Sequence, residues 1–171
     1  MLITDQFEWS HEEFEAHLEG MCSQVEAFPY QKVAFWGHKA PEIVLTLFAC
    51  WKTGKIACPL NFRLPSPATA LEELETELFT PVMPNPEKPR LTEWNLDNLA
   101  TFLFTSGSMG KPKIACHTLK NLVSNAQGSS ERIPLEKSDC WALSLPLFHV
   151  GGLSILFRSY LAKSFILISD R

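Results

Sequence analysis

The apolar positions change period along the first sixty residues, and each change predicts a new element. Phe14, Leu18, Met21, Cys22 and Val25 fall on one helical face. They follow Ser10-His-Glu-Glu13, a capping-box pattern with a hydroxyl N-cap and Glu at N3. Lys32-Val-Ala-Phe-Trp36 reads as a short buried strand, and Gly37 opens a turn. Pro41 suits the first turn of a second helix, where its missing N–H is not needed. That helix carries Ile43, Val44, Leu47, Phe48 and Trp51 and ends at Gly54. Ile56-Ala-Cys-Pro-Leu60 is the next strand. The alternation of helix and strand predicts an α/β fold, a mostly parallel sheet with crossover helices.

Pro67 to Leu78 is a short helix candidate. Four prolines then fall between Pro81 and Pro89. Proline fixes φ and removes a donor, so residues 79–98 are expected as a loop excursion, with a domain boundary as the other reading. The rhythm resumes with a strand at Leu99–Thr105 and a helix from Thr118 to about Ser130. A strand at Trp141–Leu145, a helix at Gly152–Leu161 and a strand at Ser164–Ser169 complete it. Residues 1–171 thus read as one unit. A last parallel strand with no helix after it lacks cover on one face, and the expectation is a partial domain.

Composition narrows the function classes. The 171 residues carry a formal net charge of −4 with mixed signs and no basic stripe, which argues against a nucleic-acid surface. No apolar run is long enough to span a bilayer, and the start lacks a signal-peptide pattern, so the cytoplasm is the expected location. The five cysteines, Cys22, Cys50, Cys58, Cys116 and Cys140, have no C-x-x-C spacing. Reduced, mostly buried thiols are expected, and no metal site.

The richest chemistry lies directly after a strand, in Thr105-Ser-Gly-Ser-Met-Gly-Lys-Pro-Lys113. Glycines let backbone N–H groups close on an anion, hydroxyls donate directed hydrogen bonds, and lysine adds a compact charge. The run is not a Walker A loop, because Pro112 stands where that pattern needs Ser or Thr. On residue types alone, a phosphate loop and a polar hairpin both remain open. A second run, Leu145-Pro-Leu-Phe-His149-Val-Gly-Gly-Leu153, sets a histidine at the C-terminal edge of a strand. Ligands collect at that edge in open α/β sheets. Taken alone, a histidine such as His149 is more often a hydrogen-bonded structural residue.

Phe-Thr-Ser-Gly-Ser-x-Gly-x-Pro-Lys resembles the signature of the adenylate-forming (AMP-binding) superfamily of acyl-CoA synthetases. The histidine run resembles that family's next motif. Within the family, this run and His117-Thr-Leu-Lys-Asn-Leu-Val-Ser-Asn-Ala126 look most like the o-succinylbenzoate–CoA ligases of menaquinone biosynthesis. Ala40-Pro-Glu-Ile-Val44 and Gly54 to Leu64 fit the superfamily's first crossover units. The resemblance covers nearly the whole chain and is weakest over Pro65–Asn98. It implies the N-terminal portion of the large domain of an ATP-dependent acid–CoA ligase. It also implies ATP, Mg²⁺ and CoA as cofactors and a small carboxylic acid as substrate. Other acyl- or aryl-CoA ligases and a non-catalytic ATP- or phosphate-binding module are the alternatives.

By that resemblance Thr105, Ser106, Gly107, Ser108, Gly110 and Lys113 hold the ATP phosphates. His149 lines the acyl pocket and acts in catalysis, and Gly151 and Gly152 permit close approach of the substrate. Arg158 would pair with a second carboxylate of the acid, bidentately. It lies about 13 Å along a straight helix from His149, and a salt bridge is its other reading. Arg63 has the same ion-pair reading. Two positions depart from the family pattern: Met109 stands where Thr or Ser is usual, and Ile114 where Gly is usual. Losing one hydroxyl donor to a charged group is worth about 1.5–3 kcal/mol. The family's Mg²⁺, adenine and CoA motifs lie further along than Arg171. The chain alone is therefore expected to be inactive, with the remaining part of the fold or a second copy as partner.

Overall fold

The computed structural model describes residues 1–105 and 112–169. Helix α1 (His11–Ala27) begins at the expected capping box. The Ser10 hydroxyl accepts from the Glu13 N–H at 3.2 Å, and the Glu13 carboxylate accepts from the Ser10 N–H at 2.8 Å. Helix α2 (Pro41–Thr53) has Pro at its first turn and ends at Gly54, whose φ of +73° is the left-handed cap that glycine adopts freely. Every residue from Ile43 to Trp51 is buried, which explains its near-continuous apolar run.

Two sheets flank these helices. The first orders as β2-β1-β8-β7, from β1 (Leu2–Ile3), β2 (Glu8–Trp9), β7 (Cys140–Ala142) and β8 (Phe165–Leu167). The second orders as β3-β4-β5-β6, from β3 (Lys32–Trp36), β4 (Ile56–Leu60), β5 (Leu99–Thr105) and β6 (Lys113–Thr118). Pairings β1/β8, β3/β4, β4/β5 and β7/β8 are parallel; β1/β2 and β5/β6 are antiparallel. The mixed α/β, mostly parallel class holds, but the strands divide between two sheets.

Helix α5 (Val150–Ala162) is the crossover between β7 and β8. Helix α4 (Leu119–Ser130) starts at a second capping box, between Thr118 and Asn121. One core is common to both sheets and to α1, α2, α4 and α5. It includes Leu2, Phe14, Val33, Phe48, Leu103, Leu122, Phe157 and Ile166. Phe14 meets Phe48 edge-on at 5.5 Å between ring centroids. The buried Trp51 indole donates to the Thr101 hydroxyl at 3.0 Å, which ties α2 to β5.

Several elements differ from expectation. Strands β1 and β2, two residues each, are too short to show a period. Strand β6 was not expected, because its residues are half-exposed or exposed and carry no apolar stripe. Helix α3 (Ala68–Leu74) is shorter than Pro67–Leu78 and stops at Glu75 in the left-handed region. Strand β7 is shorter than Trp141–Leu145, because the Ser144 N–H turns back to the Ala142 carbonyl.

Residues 79–98 contain no helix or strand. They run as a strap along α1. The Glu87 N–H donates to the Ala16 carbonyl, Gln24 donates to the Val82 carbonyl, and a His17 ring nitrogen lies 3.0 Å from the Pro84 carbonyl. Arg90 reaches Glu19 and Glu26, and Trp94 stacks on Tyr160 of α5.

Candidate functional site

Strand β5 delivers Thr105 to its C-terminal end. The antiparallel return of β6 places Lys113 directly opposite, and the Thr105 hydroxyl donates to the Lys113 carbonyl at 3.2 Å. The base of the loop is therefore a closed two-stranded frame. Ser106, Gly107, Ser108, Met109, Gly110 and Lys111 lie outside the described residues.

His149 arrives from another element. It is the N-cap of α5, in extended backbone geometry, and its side chain makes no capping bond. Its ring lies 4.4 Å from that of Phe148, and Phe148 meets Phe62 edge-on at 5.4 Å. Phe148 is buried while His149 is exposed, so the buried ring anchors the exposed one.

These two regions open onto one cleft of about 640 Å³. Its walls come from the C-terminal ends of β4 and β5 (Pro59, Asn61, Leu103, Thr105), from β6 (Ala115, His117) and from Phe148, His149 and Val150. The lining is mostly apolar with a few polar groups, the usual make-up of a small-molecule site. Among the described lining residues none is acidic. The cleft thus brings together Thr105 and His149, which lie 44 positions apart in sequence.

The remaining sequence candidates sit elsewhere. Lys113, Gly151, Gly152 and Arg158 are not among the described residues that line the cleft. A Cβ on Gly152 would stand 2.3 Å from the Pro146 carbonyl oxygen. The space at that glycine is filled by the chain's own backbone, which lets the 145–149 turn pack on α5. At Gly151 the neighbour is the flexible Leu145 side chain, at 2.8 Å.

Arg158 is only 8% exposed. Its guanidinium lies 4.1 Å above the Trp141 ring centroid, and its Nε has no hydrogen-bond partner among the described residues. The salt-bridge reading of Arg158 therefore does not hold among the described residues. Arg63 likewise forms no ion pair there and lies 6.0 Å from the Phe62 ring centroid.

Sequence reasoning missed Asn61 and His117 as cleft residues. The signal for His117 was the alternation Lys113, Ala115, His117, visible only once β6 is known to be a strand. All five cysteines are free. Cys22, Cys50 and Cys58 are buried, whereas Cys116 and Cys140 are exposed. Burial pushes the Cys22 and Cys58 thiols up to about 12, which leaves them unreactive. Among the described residues no cluster of three His, Cys, Asp or Glu side chains could hold a metal ion, and no helix is long and apolar enough to cross a membrane.

A mixed α/β fold that brings Thr105, at the end of a strand, and His149, at the start of a helix, onto one cleft frames the class. Residues 66–170 match the family model described as AMP-binding enzyme, and the chain belongs to that family. It is similar to 2-succinylbenzoate–CoA ligase of Escherichia coli (strain K12), at 34% identity over 77% of this chain and 32% of that protein. It is also similar to the enzyme of the same name from Enterococcus faecalis (strain ATCC 700802 / V583), at 26% identity over 91% of this chain and 37% of that one.

Among solved structures, wild-type E. coli MenE with a bound m-phenylether-linked analogue of OSB-AMS superposes with a TM-score of 0.82. The identity is 26%, covering 99% of this chain and 42% of that one. Apo MatB from Rhodopseudomonas palustris shares the fold, with a TM-score of 0.82 at 19% identity over 98% of this chain and 41% of that one. The chain corresponds to the N-terminal part of these proteins and spans about a third of the length of the curated relatives it matches.

Proposed function

We propose that this chain is the N-terminal, phosphate- and acid-binding part of an ATP-dependent carboxylic acid–CoA ligase, with o-succinylbenzoate as the acid and menaquinone biosynthesis as the setting. Residues 1–171 then form part of an AMP-binding domain, and 79–98 is an excursion from it. The observation that carries this reading is the common cleft, onto which the end of the Thr105 loop and the His149 motif both open. Thr105, Ser106, Gly107, Ser108, Gly110 and Lys113 would hold the ATP phosphates. The Thr105–Lys113 frame suits that task, because it fixes both ends of the loop between two paired strands.

ATP would supply the adenylyl group that activates the acid, with pyrophosphate as the leaving group, and Mg²⁺ would offset the phosphate charge. His149 would face the acid, and CoA would then take the acyl group from the acyl-AMP with release of AMP. Relatives bearing the 2-succinylbenzoate–CoA ligase name favour an aryl dicarboxylic acid as substrate. Arg158 is the proposed partner of the acid's second carboxylate: it lies outside the described cleft lining, but its buried guanidinium sits over Trp141 and its Nε lacks a hydrogen-bond partner among the described residues. The proposed partners are ATP, the acid and the remaining part of the fold, and the proposed location is the cytoplasm.

Calorimetric titration with millimolar ATP tests the reading. Binding is expected, and Lys113→Ala should weaken it by about tenfold or more, the loss of a charged hydrogen bond. Equal affinity in the variant, or no heat at millimolar ATP, contradicts the phosphate assignment. The 171-residue chain is expected to release no pyrophosphate from ATP and o-succinylbenzoate; release above the enzyme-free rate would show that it is catalytically sufficient.

A further inference from the structure

The described cleft contains two histidines, and the reading above uses one. His117 lies on β6, directly opposite Thr101 of β5. Side chains alternate along a strand, so Lys113, Ala115 and His117 share a face while Ile114 and Cys116 take the other. Ile114 packs against the small cluster under α3, with Ala34, Ile56, Cys58 and Leu74. The opposite face of the hairpin borders the cleft, where Leu103, Ala115 and His117 all line the wall.

His117 is half-buried. No hydrogen bond or ion pair among the described residues engages its ring nitrogens, nor those of His149. An imidazole always carries at least one N–H donor. A half-buried donor facing a cleft whose described lining has no carboxylate is suited to an anionic ligand.

Distance along the strand assigns it to one end of that ligand. His117 lies four positions beyond Lys113 on β6, about 13 Å at about 3.3 Å per residue. That separation sets His117 towards the end of the cleft away from the Thr105–Lys113 frame. The apolar wall beside His117, formed by Leu103 and Ala115, suits an aromatic or aliphatic body better than a triphosphate.

We propose that His117 is a ligand-contacting residue of this cleft and that its ring N–H holds the carboxylate-bearing acid, not the nucleotide phosphates. This rests on the cleft assignment under Proposed function. It makes His117, the first residue of the 117–126 run, a determinant of acid affinity.

Ring ¹H–¹⁵N spectra of the histidine side chains test it, in separate titrations of the wild-type chain with o-succinylbenzoate and with ATP. The acid should move the ring signals of both His117 and His149, and ATP should leave His117 in place. His117→Gln should bind the acid about tenfold more weakly, with ATP affinity unchanged and an amide spectrum that reports a retained fold. If the acid moves His149 alone, or the variant binds it as wild type does, the role of His117 is overturned while the cleft stands. An equal response of His117 to ATP overturns its assignment to the acid. If neither ligand moves either ring, the cleft assignment fails and this inference fails with it. The wild-type titrations hold whether or not the variant folds.

Discussion

Glu19 is a carboxylate on the inward face of α1 with 1% exposure, an environment that normally drives a carboxyl to its neutral form. Burial does push its pKa up. The Arg90 backbone N–H and guanidinium and the Lys52 ammonium, 3.0 Å away, outweigh that and hold it below its ordinary value of 4.5. The Lys52 side chain is 7% exposed, whereas that of Arg90 is 55% exposed. The Lys52 contact therefore dominates, and the Arg90 contact is discounted for solvent screening. Glu19→Gln should destabilise the fold by about 3 kcal/mol at neutral pH, since it leaves a buried ammonium with only the 3.8 Å contact to Glu15. The sign with pH follows from the depressed value. The pair's contribution is complete above the ordinary carboxylate pKa and is lost as pH falls through the lower folded-state value. Urea unfolding at neutral and acid pH should show the difference between wild type and variant shrinking with acid. A difference that stays constant would rule out the ion pair as its source.

The same carboxylate governs an element. Arg90 belongs to the strap, so Glu19 links α2, through Lys52, to the 79–98 segment. Gly20 permits the contact, because a Cβ there would stand 2.1 Å from the Asn85 carbonyl oxygen. In a free helix, Gly→Ala would stabilise by about 1 kcal/mol. Here Gly20→Ala should instead destabilise by about 1–3 kcal/mol through overpacking, and proteolysis within 79–98 should accelerate. A more stable variant with an unchanged cleavage rate would mean that the strap does not press on α1.

Elements were legible where the sequence carried local punctuation. The capping box at Ser10–Glu13, Pro41 at a first turn and Gly54 past a last one placed α1 and α2 closely. The compact apolar runs at 32–36, 56–60 and 99–105 placed β3, β4 and β5 with the observed bounds. Strand β6 was not legible, since its ladder to β5 is a non-local pairing and its exposed side chains carry no stripe. His117 went unread as a cleft residue for that reason. The two motif strings were read from short contiguous runs. The cleft between them was not, because it depends on β4, β5, β6 and the 145–149 turn converging.

At the scale of the whole molecule, one core joins both sheets to four helices, and the cleft opens where β4, β5 and β6 meet the start of α5. This puts Thr105 and Lys113, which frame the proposed phosphate loop, and His149, proposed to face the acid, on packed elements. The chain spans about a third of its curated relatives, and its cleft is proposed to hold ATP phosphates and acid. Amide chemical-shift mapping with millimolar ATP, with and without o-succinylbenzoate, tests this claim most directly. ATP should perturb residues 105–113 most strongly, and adding the acid should extend the perturbation to 148–150 and 115–117. Shifts confined to a distant surface such as the strap at 79–98, or no shifts in any of these segments, would contradict the account.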